Sequence, residues 1–249
     1  MRKEIRWNNI IATIREQQNV SVQQLADTFN TSLSTIRRDL QEMEDLAIIE
    51  RYYGGARIND SRISEPPMLL KHGTNSPSKL EVGRYAASLI KDNQMVYIDA
   101  GSATFAMLDY ILARNITVVT VGIPHISKLL EKGINTIVLG GTVRKTTMAI
   151  TGRKTLEQLG SYFYDIAFLG VNGIHPMGGL STTNDLEAAS KSLLISRSQQ
   201  TYALADHSKF NLIYPGKFAD IGEISIITDS TGDYPIPIDN CIDLSKLKK

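Results

Sequence analysis

The chain has 249 residues, of which 42% are hydrophobic and 21% charged, and its formal net charge is +1. This composition excludes a disordered chain and fits one large domain or a small domain with a medium one, and any nucleic-acid surface must come from local charge placement. The single cysteine, Cys241, excludes an internal disulfide, and no apolar run approaches the roughly 18 residues of a membrane span.

The N-terminal stretch MRKEIRWNNIIATIREQ is basic and amphipathic rather than a signal peptide, so we expect a cytoplasmic protein without membrane contact. Apolar residues recur at helical spacing in two stretches: Trp7, Ile10, Ile11 and Ile14, then Val22, Leu25, Ala26 and Phe29. Between them, Ser21 and Gln24 are spaced as a capping box, with Val20 and Leu25 as a hydrophobic staple. The sequence therefore predicts two short helices.

A third helix follows a turn of about three residues and is capped by Thr31 or Ser32. Its core-facing residues are spaced by three and four: Leu33, Ile36, Leu40, Met43 and Ala47. Three short helices with a tight turn between the last two predict a helix-turn-helix. Residues 48–53 and 56–58, joined by a tight turn at 54–55, predict a hairpin that makes it a winged variant.

Two adjacent arginines lie in the third helix. With Ile36 at zero and about 100° per residue, the core stripe centres at about 20°, Arg38 lies opposite at about 200°, and Arg37 lies on the flank at about 100°. Hydroxyl groups crowd the start of this helix, on Thr31, Ser32, Ser34 and Thr35. A helix N-terminus suits phosphate groups, and an outward arginine suits the edge of a guanine.

The alternative is that both arginines only solvate the helix and pair with Glu42 or Asp45. Charge does not decide, because residues 1–60 hold eight Lys or Arg against nine Asp or Glu, a net charge of −1. The acids gather at residues 42–45, and the basic residues can share the other side: Arg2, Lys3, Arg6, Arg37, Arg38, Arg51 and Arg57. The helical geometry favours DNA.

The stretches VSV (20–22), LA (25–26), STIRRDL (34–40) and GGA (54–56) resemble the DNA-binding domain of the DeoR family of bacterial repressors. The resemblance implies that the helix with Arg37 and Arg38 enters the major groove and that the wing near Arg51 touches the backbone. The residues expected to contact double-stranded operator DNA are Ser32, Ser34, Thr35, Arg37, Arg38, Arg51 and Arg57.

Residues 59–79 are rich in Ser, Pro, Asn and Gly and predict a linker between a DNA-binding domain, 1–58, and a second domain, 80–249. In the second domain, short apolar runs alternate with helical segments, which predicts an α/β fold with a parallel sheet. The runs are MVYIDAG, ITVVTVG, NTIVLGG, YDIAFLGV, TYALAD and ISIITD. Each ends in small or polar residues, so six strand ends are expected to point toward one ligand site.

Four motifs carry the candidate ligand groups. DAGSATF supplies Asp99, Gly101, Ser102 and Thr104. They precede a helix whose first N–H groups can hold phosphate, and the alternative is a capped strand-to-helix turn. STTNDLEAASKS supplies Asp185, Glu187 and Lys191 for sugar hydroxyls and phosphate. Equally, Thr182 with Asp185 spells a capping box, and Glu187 with Lys191 a helical ion pair.

The other two motifs follow strands directly. LADHSKF supplies Asp206, Ser208 and Lys209, an acid, a hydroxyl and an amine after a buried strand, which favours function. GGTVRKTT supplies Gly141, Arg144 and Lys145, a cationic loop that is useful for phosphate or simply solvated.

Other chemistries lack their signatures. The histidines, at 72, 125, 175 and 207, have no metal-ligand spacing, and no GxSxG elbow is present, so metal and serine hydrolase chemistry is excluded and no metal is expected. DAGSATF is neither a P-loop nor a GxGxxG fingerprint, so nucleotide binding is not indicated.

The motifs DAGSAT, LGGTVRKTTMAITG, FLGVNGIHP, STTNDLEAASKS and LADHSKF resemble the sugar-phosphate sensor domain of the DeoR family, and are most similar to the fructose-operon repressor branch. The resemblance implies a fold related to ribose-5-phosphate isomerase and CoA transferases. By motif, it implies that phosphate or sugar is held by Asp99, Gly101, Ser102 and Thr104, with Asp185, Glu187, Lys191, Asp206 and Lys209 around it. Two positions depart from the family pattern, because Ala103 replaces a usual hydroxyl and Val121 a usual asparagine.

We therefore expect a DNA-binding repressor, a homo-oligomer of two or four copies, that a phosphorylated sugar such as fructose 1-phosphate releases from its operator without any cofactor. One alternative is an activator, or a repressor for another sugar phosphate. The other is a sugar-phosphate isomerase or lyase with Glu187 as base and Lys191 or Lys209 as electrophile. The fused winged domain, which an isomerase does not need, argues against the enzyme.

Overall fold

The computed structural model describes residues 3–46, 48–58, 76–232, 234 and 240–247. The chain divides into two compact units, residues 1–74 and 75–249, and each is described by itself. Among the described residues, no helix is long and apolar enough to cross a membrane.

The first unit is a three-helix domain with a small antiparallel sheet. Its helices are α1 (Lys3–Gln17), α2 (Val22–Thr28) and α3 (Leu33–Asp45), and its strands are β1 (Asn19–Ser21), β2 (Ile49–Tyr52) and β3 (Gly55–Ile58). The predicted capping box is confirmed, because the Gln24 N–H donates to Ser21 Oγ and the Ser21 N–H donates to Gln24 Oε1. Of the two caps considered for α3, the structure uses Ser32. Ala47, the last member of the predicted core stripe, lies outside the described residues.

The core of this unit is the apolar stripe that helical spacing predicts. Its fully buried members include Ile10, Ile14, Leu25, Ile36, Leu40 and Met43. One acid joins them: Asp39, 2% exposed, accepts hydrogen bonds from Arg6 Nε at 2.5 Å, Arg6 Nη2 at 3.1 Å and Trp7 Nε1 at 2.9 Å. Arg6 therefore ties α1 to α3, and its grouping with the basic residues of a DNA-facing side is wrong.

The wing turns one residue earlier than predicted. Its turn is at residues 53–54, and Gly55 already belongs to β3, where it pairs with Tyr52 of β2 and Ser21 of β1. Gly54 has a φ of +87°, and a Cβ on Gly55 would collide with the carbonyl oxygen of Val20. Both glycines are thus required, one for its backbone angle and one for the close approach of β1, a strand that the sequence did not predict.

The second unit is an α/β domain. Its helices are α4 (Ser76–Ser88), α5 (Ser102–Met107), α6 (Ile123–Glu131), α7 (Arg153–Leu159), α8 (Asp185–Arg197) and α9 (Leu244–Leu247). Its main strands are β4 (Met95–Ile98), β5 (Thr117–Thr120), β6 (Asn135–Val138), β9 (Tyr164–Gly170), β12 (Ser198–Ala205), β14 (Ser225–Thr228) and β15 (Cys241–Asp243). The smaller strands are β7 (Thr142–Arg144), β8 (Ala149–Thr151), β10 (Gly173–His175), β11 (Gly179–Thr182) and β13 (Gly216–Ala219). The last four residues of the predicted linker, 76–79, form the start of α4.

The seven main strands form one parallel sheet in the order β15-β14-β12-β9-β4-β5-β6. All six predicted strands are in it, and β15 was not predicted. Side chains alternate between two buried layers, with Tyr97 and Leu169 in one and Val96, Ile98 and Phe168 in the other. Both faces of the sheet are therefore covered, which explains its near-continuous apolar runs.

The strand order reverses beside β4. From β4 the chain adds β5 and β6 on one side, and β9, β12, β14 and β15 then extend the sheet on the other. In open parallel sheets, ligands bind outside the carboxyl ends of the strands at such a switch point. The ends of β4 and β9, at Ile98 and Gly170, mark that place.

Candidate DNA-binding surface and effector site

The start of α3 presents a cluster of hydroxyl groups. Ser32 Oγ accepts a hydrogen bond from the Thr35 N–H at 3.2 Å and lies 2.9 Å from Ser34 Oγ and 2.8 Å from Thr35 Oγ1. Ser32 and Ser34 are exposed, and Thr35 is half-buried. These hydroxyls therefore lie beside the first N–H groups of the helix, an arrangement that favours phosphate oxygens.

Arg37 and Arg38 are both exposed on α3. Within the part of the chain that the structure describes, neither makes an ion pair or a hydrogen bond. The two acids considered as their partners are engaged elsewhere: Glu42 bonds Lys3, and Asp45 accepts a hydrogen bond from Gln41 at 3.0 Å. Both guanidinium groups are therefore available to an outside partner, and the ion pairs of the alternative interpretation are not formed.

The wing arginines differ, because acids hold both of them. Arg51 bonds Gln41 and lies 3.7 Å from a carboxylate oxygen of Glu44, and Arg57 donates to Glu50 at 2.6 Å and 2.9 Å. Both pairs are largely exposed, so water and salt screen them. The two wing arginines are thus each paired with an acid, in contrast with Arg37 and Arg38 on α3.

At the switch point of the parallel sheet, one carboxylate joins two strand ends. Asp99, directly after β4, accepts hydrogen bonds from the Ala100 N–H at 2.8 Å and the Gly170 N–H at 3.0 Å. Lys191, on α8, forms an ion pair with the same carboxylate and donates to the Gly170 carbonyl at 2.8 Å. The lysine is buried, and the pairing compensates the cost of burying its charge.

The loop that follows Asp99 is held from inside by Thr104. This side chain is fully buried, accepts a hydrogen bond from the Gly101 N–H at 2.8 Å and lies 2.6 Å from the Asp99 carbonyl oxygen. Ser102 is half-buried at the first position of α5. The two departures from the family pattern, Ala103 and Val121, are both buried in apolar layers.

A second ion pair lies at the start of α8. Glu187 accepts from Arg144 Nη1 at 2.8 Å and lies 3.2 Å from the hydroxyl of Thr182. The cap of α8 is Asn184, whose side chain accepts from the Glu187 N–H at 3.1 Å. The capping box of Thr182 with Asp185 is therefore wrong, and so is the helical pair of Glu187 with Lys191, because each partner is bound to another chain segment.

The β7–β8 hairpin brings Arg144 to this place by pairing with the end of β5. The Ile150 N–H donates to the Val121 carbonyl at 2.8 Å, and the Ile123 N–H to the Met148 carbonyl at 3.0 Å. Gly141 begins the hairpin, where a Cβ would collide with Thr155 Oγ1. Lys145 and Asp185 are exposed on the hairpin and on α8, and neither side chain makes a hydrogen bond or ion pair with another described residue.

The LADHSKF motif forms a tight loop after β12. Asp206, 2% exposed, accepts from the side chain of Ser208 and from the Ser208 N–H at 3.0 Å, and its carbonyl accepts from the Lys209 N–H at 3.0 Å. Burial raises the pKa of Asp206, but the charges of Lys209 and Lys79 and the bonds from Ser208 outweigh it, so the pKa lies below its ordinary value. Asp206 therefore remains an anion in a cationic setting.

Two family models match this chain, the DeoR-like helix-turn-helix domain over residues 6–62 and the DeoR C terminal sensor domain over residues 74–230. The chain belongs to the DeoR family. DeoR-family proteins are transcriptional regulators, so the isomerase or lyase alternative is set aside and the protein is not an enzyme. Its winged domain is the DNA-binding part of a DeoR-type repressor, and its α/β domain is the sensor.

Proteins similar to this chain include transcriptional regulators. An "uncharacterized HTH-type transcriptional regulator FruR" of Bacillus subtilis strain 168 is 40% identical over 221 residues, 88% of each chain. The glycerol-3-phosphate regulon repressor of Escherichia coli K12 is 30% identical over 240 residues, 96% of this chain and 94% of that one. Among solved structures, ribose 5-phosphate isomerase A of Methanocaldococcus jannaschii is 16% identical and covers 55% of each chain, with a TM-score of 0.40.

Sequence reasoning missed two polar residues beside the DeoR sensor motifs. Lys79 was assigned to the linker, although Pro77 is a common residue in the first turn of a helix and could have extended α4 backward. His125 is fully buried on α6, with Nε2 3.2 Å from Thr104 Oγ1. The sequence could have predicted this burial, because His125 lies four residues before Leu129 and therefore on the same face of the helix. Among the described residues, no group of three His, Cys, Asp or Glu is placed to hold a metal ion.

Proposed function

We propose that this DeoR-type repressor controls a fructose-utilisation operon and that fructose 1-phosphate releases it from the operator. Its membership of the DeoR family gives the coarser function, a transcriptional repressor of sugar-related operons. The sugar itself is inferred from the name of the relative that is 40% identical, FruR. A regulator of this kind acts where the DNA is, so we propose a cytoplasmic location.

For the operator, we propose that α3 enters the major groove and that Arg38 reads a base edge. The observation that supports it is that Arg37 and Arg38 are exposed and make no ion pair or hydrogen bond with another described residue, whereas Arg6, Arg51 and Arg57 of the same domain are each held by an acid. Arg37, on the flank, contacts phosphate. We propose that the remaining phosphate contacts come from Ser32, Ser34 and Thr35 at the start of α3 and from Arg51 and Arg57 on the wing.

For the effector, the observation that carries the proposal is the pairing of Asp99 with Lys191 at the switch point of the sheet. The half-buried carboxylate of Asp99 suits hydrogen bonds from sugar hydroxyls, and cations hold a phosphate. Two of these cations already have partners in the protein, Arg144 in Glu187 and Lys191 in Asp99, so the sugar phosphate binds to them by exchanging partners. The residues that we propose to surround it are Asp99, Gly101, Ser102, Thr104, Gly141, Arg144, Lys145, Asp185, Glu187, Lys191, Asp206, Ser208 and Lys209.

We further propose a homo-oligomer, a dimer or a tetramer, whose winged domains occupy the half-sites of one operator. Effector binding favours an arrangement that cannot span both half-sites. A coupling free energy of about 1–3 kcal/mol between the two ligands changes operator affinity by roughly 5–150-fold. Light scattering on the purified chain tests the oligomeric state directly.

The deciding experiment is an operator-release titration. An operator duplex is selected in vitro with the full chain, and release is measured with fructose 1-phosphate, fructose 6-phosphate, glucose 6-phosphate, glycerol 3-phosphate and unphosphorylated fructose. Fructose 1-phosphate alone should release the duplex at low concentration. Release by glycerol 3-phosphate instead would assign a different regulon, as the name of the second relative suggests.

A matched pair of variants tests the effector site. Lys209→Ala should keep the operator affinity of the wild type and lose release by fructose 1-phosphate, because it removes a cation from the loop after β12. Lys154→Ala, at an exposed position on α7, should behave as the wild type. Normal release of the Lys209 variant would remove that residue from the proposed site.

A further inference from the structure

The first turn of α4 is fastened to the ends of two neighbouring strands. The side chain of Ser78 donates a hydrogen bond to Asp229, directly after β14. Lys79, 6% exposed, lies close enough to Asp206, directly after β12, for its charge to act on that carboxylate. Along its length, α4 packs on α5, β12 and β14. The helix therefore starts at the edge of the sheet where ligands bind in this class of fold.

The same two carboxylates also hold the loop of the LADHSKF motif. Asp229 accepts hydrogen bonds from the His207 N–H at 2.7 Å and from His207 Nδ1 at 2.6 Å. Asp206 accepts from Ser208, two residues further along the loop. Each acid thus interacts both with a residue of the loop and with a residue in the first turn of α4, so the loop and the helix start share their partners.

A buried lysine at this position is not explained by packing alone. Burying an ammonium group is costly unless it is paired, and apolar side chains of similar volume hold helices to sheets at least as well. The inner face of α4 further along is apolar, with Val82, Ala86 and Ala87 buried. A charged contact differs from an apolar one because it responds to nearby charge. An anion that binds close to Asp206 and Lys209 changes the electrostatic attraction between Asp206 and Lys79.

The first turn of α4 also lies next to the segment that leads to the DNA-binding unit in the sequence. In the sequence, residues 59–75 connect the DNA-binding unit to α4. The first turn of α4 is therefore the point at which this connecting segment joins the sensor unit. We propose that Ser78 and Lys79 are positioning residues that couple the occupancy of the effector site to operator binding, through their contacts with Asp229 and Asp206. The inference rests on the proposed function, because it requires an effector at the LADHSKF loop.

The test separates binding from coupling. Lys79→Met and Ser78→Ala are made in the full chain, with Lys91→Met as a matched control at an exposed lysine just beyond α4. Three quantities are measured for each: the Kd for the selected operator, the Kd for fructose 1-phosphate by calorimetry without DNA, and the ratio of operator Kd values with and without fructose 1-phosphate. The wild-type ratio tests the proposed function by itself, since a wild-type ratio of one refutes it before any variant is considered.

The expected result is that both variants keep the two Kd values within about twofold while the ratio falls from the wild-type value, roughly 5–150, toward one. Lys79→Arg should restore most of the ratio, because it keeps the charge. An unchanged ratio in both variants would overturn the proposal. So would a large loss of fructose 1-phosphate affinity in Lys79→Met, since Lys79 would then be a ligand of the effector. If Lys79→Met melts well below the wild type, the ratio measured for Ser78→Ala decides the test, because that variant removes only one hydroxyl.

Discussion

The replacement of Arg38 by alanine tests the geometry of α3 most directly. Arg38 is exposed and makes no hydrogen bond or ion pair with another described residue, so its removal takes little from the folded domain. Surface substitutions of this kind change the free energy of unfolding by at most about 0.5 kcal/mol. A bidentate contact to a guanine is worth about 1–3 kcal/mol, or roughly 5–150-fold in affinity for each half-site. The variant should therefore melt as the wild type does and bind its operator much more weakly.

The assay is fluorescence anisotropy with the selected operator and with duplexes that each carry one altered base pair. Arg38→Ala should lose discrimination at one base pair in each half-site, because a base reader specifies sequence and a phosphate contact does not. Arg37→Ala, on the flank, should weaken binding to all duplexes alike and lower the slope of log affinity against log salt by about 1. Arg153→Ala, which removes an arginine that is 92% exposed on the sensor unit, is the matched control.

Two outcomes would refute this reading of α3. If Arg38→Ala binds the selected operator within about twofold of the wild type, the outward position of the side chain has no role in recognition. If Arg38→Ala weakens all duplexes equally and Arg37→Ala relaxes sequence preference, the roles of the two arginines are reversed. The second result would mean that α3 lies in the groove rotated toward its flank.

Three further predictions concern charged contacts. Asp39→Ala should destabilise the winged domain by about 3–5 kcal/mol, because it leaves buried donor groups without their acceptor, and a loss under 1 kcal/mol in denaturant melts would contradict this. Glu50→Gln should strengthen operator binding and steepen its salt dependence, since it frees Arg57 from its carboxylate; unchanged anisotropy titrations would show that Arg57 does not approach DNA. The hydrogen bond to Asp229 raises the pKa of His207 above its ordinary 6.5, so this contact stabilises the sensor below about pH 6.5 and is lost as the pH rises through the raised pKa. The difference in Tm between wild type and His207→Asn should accordingly shrink from about pH 6 to about pH 8, and a constant difference would refute the link.

The sequence was most informative where local patterns and packing agree. The stripe of α3 predicted its buried residues Ile36, Leu40 and Met43, and the capping box of Ser21 with Gln24 formed as its spacing indicates. Apolar runs located six of the seven parallel strands because strands buried on both faces need such runs. The wing turn was predicted one residue late, because Gly55 is required by contact with β1, and a contact between distant segments leaves no local signal.

Charged partners were the least predictable part. Local rules pair Glu187 with Lys191 because they are four residues apart on one helix. The fold instead gives Lys191 to Asp99, 92 residues away, and Glu187 to Arg144, 43 residues away. A helical pair gains little in water, whereas a buried lysine must find a carboxylate inside the domain. Burial in the fold therefore determines these ion-pair partners, and sequence spacing does not predict them.

These long-range pairs bear on how a DeoR sensor responds to its ligand. Lys191 and Arg144 each bind an acid of the protein, so at the site that we propose a sugar phosphate meets two cations that are already neutralised. Its phosphate must replace a carboxylate at a cation, and its hydroxyl groups must satisfy the carboxylate that is set free. A phosphate without a sugar supplies only the first exchange, and a sugar without a phosphate only the second. On the proposed site, specificity for a phosphorylated sugar follows from exchange at these two paired charges rather than from an empty charged pocket.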